Sequence, residues 1–429
     1  AYACINHDFG RQAGRGGVGA VMGSKKVKAI VIRGTKAVPV ANTQAYQQAG
    51  LALYKACKDA EGLAEWTRYG TTIVTSWCDE VGALPTRNFS AGSYEDGPSI
   101  YGQVMRKEIV ITDKGCFGCP CPCGKYSNMK RYNSVVEGPE YETIALMGSN
   151  LGIADIQAVA EANRLADDLG IDSISAGNCI AWAMEAYEKG ILTKDDTDGL
   201  DLKFGNIEAT FEAIKKIAFR EGKLGELLSL GVKRAAQKIG KGSEKFAIHV
   251  KGMEQSGYAT HNATAMLLAY MTCDVGAHHN RSWAITYDLQ VGRDQVVPEK
   301  VARVIWLQNF RPMFDVLGSC RLQWVELGID RNLYVPVLEA ITGIHRSWED
   351  LEAVGNRIWN LTRMYWVREI DGFDRSWDQP SPRFYEEPPK TGATAGQITK
   401  YEDVQRLLDM YYEQRGWDAS GIPTPATLE

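Results

Sequence analysis

Four cysteines fall within eight residues, in the run Gly115-Cys116-Phe117-Gly118-Cys119-Pro120-Cys121-Pro122-Cys123-Gly124. Thiols this crowded cannot pair off as ordinary disulfides without strain, and they read as a metal site. The spacing Cys116-x2-Cys119-x3-Cys123 lets one loop supply three corners of an iron–sulfur cube, with the fourth coming from elsewhere. The two prolines stiffen the loop and hold the sulfurs outward. A structural zinc knot is the alternative. Zinc favours two separated Cys-x2-Cys pairs, and the chain has no second pair, so ligand preference points to iron–sulfur.

The 429 residues leave room for two or three domains, and 45% of them are hydrophobic, enough for a large core. A net charge of −5 argues against a nucleic-acid partner, which calls for a basic face. The longest apolar runs, such as Ala265–Ala269, are too short to span a bilayer. No secretory leader is read. Ten cysteines, four of them crowded together, fit a reducing compartment where thiolates hold metal, and the expectation is a cytoplasmic protein. The opening Ala1-Tyr2-Ala3-Cys4 runs at once into a glycine-rich motif and reads as the continuation of a longer polypeptide.

Residues 1–39 read as the end of a β-rich domain. The glycine-rich turn Gly14–Ser24 is followed by the β-branched run Val27–Ile32, a strand signal. The turn can cradle phosphate through backbone N–H groups, but it lacks the strand–loop–helix setting of a dinucleotide fingerprint. Residues 40–250 and 251–429 read as two mainly helical domains. Asn42–Ala60, Asp155–Leu169, Ser175–Lys189, Phe211–Arg220, Leu224–Ile239, Glu299–Phe310 and Val404–Arg415 carry helical patterns. The stretch Gln379–Gly396 reads as a surface excursion. The fold class is therefore α+β.

One short pattern occurs twice. Asp167-Asp168-Leu169-Gly170-Ile171-Asp172 and Asp315-Val316-Leu317-Gly318-Ser319-Cys320 both read Asp-x-x-Gly-x-(Asp/Cys). Each follows a helical pattern and presents a carboxylate and free backbone groups at a helix end. Two copies suggest two equivalent ligands, and Cys320 is free to be the fourth cluster ligand.

Together these features resemble the tungsten-containing aldehyde ferredoxin oxidoreductases. The resemblance rests on the cysteine loop, the paired Asp-x-x-Gly motifs, Glu137-Gly-Pro-Glu-Tyr-Glu-Thr143, Gly14-Arg-Gly-Gly-Val-Gly-Ala-Val-Met-Gly-Ser-Lys25, Leu84-Pro-Thr-Arg-Asn-Phe89 and Leu169–Gly177. It implies the tail of an N-terminal β domain that binds pterin, followed by two helical domains. It also implies tungsten (or molybdenum) held by two pyranopterin dithiolenes, a [4Fe-4S] cluster, and Mg2+ bridging the pterin phosphates. Cys116, Cys119, Cys123 and Cys320 would ligate the cluster. Asp167, Gly170, Asp172, Asp315 and Gly318 would bind the pterins, and Arg15 and Gly16 would meet a phosphate. Glu142 and His279 would face the open side of the metal.

The residue chemistry is compatible with these roles. Carboxylates accept charge-assisted bonds from pterin N–H groups, although an isolated Asp more often caps a helix. Glu137, Glu140 and Glu142 crowd three carboxylates into six residues, which repel unless some are protonated or paired. A Glu beside a desolvated metal has its pKa raised and suits proton transfer. His278 stands where this family usually has cysteine and remains a rival to His279 for acid–base work. Cys121 is an additional thiol that could compete as a ligand. Glu161-Ala-Asn-Arg164 lacks the histidine of a Glu-x-x-His interface iron site.

The expected activity is oxidation of aldehydes to carboxylic acids, with electrons passed to ferredoxin or an iron–sulfur partner subunit of an oligomer. A tungsten-dependent benzoyl-CoA reductase subunit and a non-catalytic electron-transfer subunit are the alternatives.

Overall fold

The computed structural model describes residues 1–8 and 10–429. Helices dominate, and the strands form three small antiparallel sheets, an α+β architecture. No single helix among the described residues is long and apolar enough to cross a membrane.

Local chemistry sets the helix ends. Asp155 Oδ1 accepts the N–H groups of Gln157 and Ala158 at 2.9 and 3.1 Å and opens the helix Ile156–Leu169. Such a cap is worth about 1 kcal/mol. Asp172 opens Ser173–Glu188 in the same way. That helix is buried from Ile174 to Ala186, and Thr264–Thr272 is buried throughout. A helix enclosed on all sides belongs at the core, and the first of these packs on the helix Tyr141–Met147, which lines the candidate site. The pattern over Leu224–Ile239 resolves into two helices, Gly222–Leu228 and Val232–Ile239, because Gly231 turns the chain at φ +86°.

A three-stranded sheet, absent from the sequence reading, carries the cysteine loop. Val110–Lys114 pairs with Gly124–Met129, which pairs with Ser134–Glu137. The Lys114–Gly124 pair closes residues 115–123 into a hairpin loop. The third strand runs through residues 138–140 into the helix Tyr141–Met147, whose first turn holds Glu142. One continuous segment thus supplies both the thiols and the carboxylate.

A small apolar cluster anchors the loop from beneath: Cys57, Cys121, Phe310, Met313, Phe314, Tyr334 and Trp348. Burying an aromatic side chain of this kind contributes roughly 1.5–3 kcal/mol.

Three expectations are corrected. Val27–Ile32 forms no strand, and Ile30, Val31 and Ile32 are 70%, 92% and 86% exposed. A strand exists only where a neighbour completes its backbone hydrogen bonds, and none lies alongside. Gln379–Gly396 is a partly buried strap, because Arg383 passes inward to Glu185 and to the carbonyl of Asn88. The Gly14–Gly17 turn does sit between a strand, Arg11–Ala13, and a helix, Val18–Ser24. The strand belongs to a two-stranded hairpin with Ile5–His7, so no βαβ unit results.

Candidate functional site

Cys116 and Cys320 are exposed, Cys119 and Cys123 partly exposed, and Cys121 buried. Cys320 lies beside the loop: the charges of Cys119 and Cys116 act on its thiol. Burial pushes the Cys123 thiol up to about 12, with Glu140 adding to the shift, Arg11 opposing it, and Cys320 and Cys116 adding further. Cys119 Sγ accepts from the backbone N–H of Cys121 at 3.4 Å and from Gln323 Nε2 at 3.6 Å. Cys121 turns inward beside Cys57. Among the described residues no three His, Cys, Asp or Glu side chains gather tightly enough to hold a single metal ion.

A cavity of about 190 Å³ opens beside Cys123. Glu142 and His279 line it, with Trp66, Tyr141, Tyr258 and Trp283 as aromatic walls and Arg11, Arg311 and Arg321 as cations. The loop Gln255–Tyr258 holds Glu142 and His279. Glu142 Oε2 accepts the Gly257 N–H at 2.7 Å, and Tyr141 Oη donates to the Gly257 carbonyl at 2.6 Å. Burial raises the Glu142 pKa to about 7, against the opposing pull of the Gly257 N–H and Arg15. Burial holds His279 far below the usual histidine range, so its imidazole is neutral. Glu142 Oε1 lies 3.1 Å from His279 Nδ1. His278 instead turns Nδ1 back to accept the backbone N–H of Asn280 at 3.0 Å.

The crowded carboxylates resolve by pairing. Glu137 takes Arg11 at 2.6 Å and also Lys114. Glu140 accepts from the Thr71 hydroxyl and stands 3.6 Å from Arg11. Of the three, Glu142 alone has no Lys or Arg partner among the described residues.

The repeated motif is the same turn twice. Ile171 N–H bonds the Ala166 carbonyl (3.0 Å) and Gly170 N–H the Asp167 carbonyl (3.2 Å). Ser319 to Phe314 (2.8 Å) and Gly318 to Asp315 (3.1 Å) repeat the pair. This is the Schellman cap, with Gly170 and Gly318 at φ +65° and +63°. The carboxylates differ in setting. Asp167 accepts from Gln12 Nε2 at 3.1 Å and Asn163 Nδ2 at 3.0 Å, and burial raises its pKa to about 7. Asp315 is exposed and pairs with Arg281 at 2.5 Å. Asp172 caps its helix and meets Arg15 at 3.2 Å. Arg15 also donates to the carbonyls of Ala277 and Glu254, while Gly16 is exposed at φ +92° with open space around it.

The family description "Aldehyde ferredoxin oxidoreductase, domains 2 & 3" matches residues 48–429, and the description of that family's N-terminal domain matches residues 1–34. The chain belongs to the aldehyde ferredoxin oxidoreductase family. It is 36% identical to the tungsten-containing aldehyde ferredoxin oxidoreductase of Thermococcus kodakarensis, over 98% of this chain and 69% of that protein. The Pyrococcus furiosus enzyme of that name is 34% identical, over 100% of this chain and 70% of its own length. An aliphatic sulfonate oxidoreductase, WOR-like subunit, from the same organism is 30% identical, over 100% of this chain and 67% of its own. Among solved structures, the active-site complex BamBC of benzoyl coenzyme A reductase with 1,5-dienoyl-CoA superposes with a TM-score of 0.75. It is 23% identical and covers 100% of this chain and 70% of that one, a likeness of fold.

Several residues of this family member's cavity carried no sequence signal. Arg311 and Arg321 sit on separate segments and form no ion pair among the described residues, and the Nε of each is buried without a partner. Burial, helped by Arg321, lowers Arg311 to about 9. Ser256 and Gly257 look like ordinary loop residues. Only the aromatic density of the chain hinted at Trp66, Tyr258 and Trp283. Glu161, at the position of the missing interface-iron motif, is buried and takes Arg164 at 2.6 Å and the Ser134 hydroxyl at 2.7 Å.

Proposed function

We propose that this chain carries the catalytic centre of a tungsten- or molybdenum-pterin oxidoreductase that converts aldehydes to carboxylic acids. The observation that carries the reading is one cavity shared by Cys123, Glu142 and His279. It joins an electron-transfer ligand to an acid–base pair within one aromatic-walled space.

The residues fit the groups that the family implies. Cys116, Cys119, Cys123 and Cys320 would hold a [4Fe-4S] cluster; Cys320, from a separate segment, lies close enough to the loop for its charge to act on Cys123 and for Cys119 and Cys116 to act on it. Asp167 and Asp315, on matching turns, would accept pterin N–H groups. At the Gly14–Gly17 turn the Arg15 guanidinium is occupied by Asp172, Ala277 and Glu254, so backbone N–H groups would meet a pterin phosphate. When bound, the metal–pterin centre supplies a two-electron acceptor and Lewis acid, and the cluster supplies single-electron transfer.

The chain's own residues supply the rest. Glu142, balanced near neutrality, takes the proton of the attacking water at Oε1. Neutral His279 orients the aldehyde oxygen. Tyr141, Tyr258 and Trp283 exclude bulk water and pack the substrate's apolar part. Electrons leave by the cysteine loop to ferredoxin or a partner subunit; relatives named as a subunit and a two-component complex support a partner. Ten unpaired cysteines support a reducing, cytoplasmic setting.

The test is aldehyde-dependent viologen reduction by the metal-loaded protein, with benzoyl-CoA as the competing substrate. Activity with aldehydes that collapses in Glu142→Gln and His279→Ala is expected. Activity unchanged in both variants, or turnover of benzoyl-CoA alone, overturns the reading.

A further inference from the structure

The His279 ring is held by a group outside the acid–base pair. Its Nδ1 lies 3.0 Å from Ser256 Oγ, and the same oxygen accepts the backbone N–H of His279 at 3.1 Å. Glu142 Oε1 is equally near, but it lies off the hydrogen-bonding direction and has no hydrogen-bond partner. Behind Ser256 stands Tyr270, whose Oη is 3.0 Å from Ser256 Oγ. Ser256 and Tyr270 are fully buried, so water does not compete for these bonds. Ser256 is itself fixed, its N–H donating to the Ala277 carbonyl at 3.1 Å.

We infer that Ser256, backed by Tyr270, is a positioning residue that holds His279, whose ring lines the cavity, in the tautomer carrying its proton on Nε2, the nitrogen away from Ser256. A serine hydroxyl has one proton and two acceptor sites. Here Oγ accepts the His279 backbone N–H, Tyr270 Oη stands 3.0 Å away while donating to the Ser256 carbonyl at 3.2 Å, and the Ser256 proton is assigned to Nδ1. Nδ1 is filled, and Nε2–H is left to donate to a substrate oxygen. The division of labour follows: His279 donates, and Glu142 accepts. This refines the aldehyde-oxidising reading and rests on it for the substrate.

The first measurement uses the full chain with 15N-labelled histidine. Six histidines give a small set of ring signals, and His279 is identified by its loss in His279→Gln. The wild type should show a proton on Nε2, Ser256→Ala a mixture of tautomers, and Ser256→Thr the wild-type pattern. In the metal-loaded enzyme, Ser256→Ala should lower kcat about tenfold with little change in KM, less than the roughly 100-fold or more of removing a proton-handling group itself. It should also displace the pH profile, which is set by Glu142, His278, Arg15, Arg311 and Arg321 around the ring. Tyr270→Phe should act in the same direction and more weakly. A wild-type proton on Nδ1, or Ser256→Ala with an unchanged tautomer and pH profile, overturns the inference. The expected tautomers in a loaded enzyme that oxidises no aldehyde would instead refute only the proposed substrate.

Discussion

Arg15 Nε lies 3.2 Å from Asp172 Oδ2, and the two side chains are 9% and 6% exposed. This contact ties the N-terminal strip to the cap of the buried helix Ser173–Glu188. Removing one partner of a buried pair leaves an uncompensated charge. Arg15→Met should therefore destabilise the protein by about 3 kcal/mol in urea unfolding. The double variant with Asp172→Asn should lose less than the sum of the singles, because the two residues share one interaction. Additive losses would show that the pair is not coupled.

Glu142 and Asp167 both have pKa values raised to about 7, from ordinary values of 4.5 and 3.8, chiefly by burial. The folded state then binds more protons than the unfolded state between those values, so stability falls as pH rises through the window. Each fully engaged group contributes a slope of about 1.4 kcal/mol per pH unit. Glu142→Gln removes one of them. Its unfolding free energy should decline less steeply than the wild type's between about pH 5 and pH 7. Identical slopes would mean that Glu142 is ionised throughout.

Gly257 is needed for its size. A Cβ placed there would stand 3.0 Å from the Ala145 Cβ and 3.1 Å from Glu142 Oε2. The clash falls on the atom that the Gly257 N–H aligns. Gly257→Ala should cost about 1–3 kcal/mol of stability. Displacing the carboxylate should also reduce aldehyde oxidation by about 100-fold, the scale of a misplaced catalytic group. Wild-type kinetics in this variant would separate Glu142 placement from the loop.

How much of this was legible depends on where the information lies. Cys123 of the cysteine loop, Glu142 and His279, which the fold brings to one cavity, could be singled out because their chemistry is unusual within a few neighbouring residues. The Asp-x-x-Gly echo was legible too, since a glycine at a helix end dictates one turn geometry. The sheet around the loop was not, because strands as short as Ser134–Glu137 carry little periodicity. Val27–Ile32 misled in the opposite direction: β-branched residues describe a preference, while a strand needs a neighbour. Arg311, Arg321 and Ser256 acquire meaning only when distant segments meet around one cavity, and no local pattern encodes that.

Cys320 and Cys121 offer the sharpest contrast at the cysteine loop. Both are cysteines near Cys119, yet Cys320 is exposed beside the loop and Cys121 is buried against Cys57, Phe310 and Trp348. If position decides the role, the two should fail differently. If Cys320 holds a cluster corner, Cys320→Ser should lower bound iron below the roughly four atoms of one cubane and abolish the electron paramagnetic resonance signal of its reduced form. Cys121→Ala should keep the iron and the signal, and should lose about 1 kcal/mol of stability through the small void left in the apolar cluster. Iron analysis with denaturant unfolding on the same preparations reads both quantities. Iron lost from Cys121→Ala and kept in Cys320→Ser would reverse the assignment and make the inward thiol the fourth ligand.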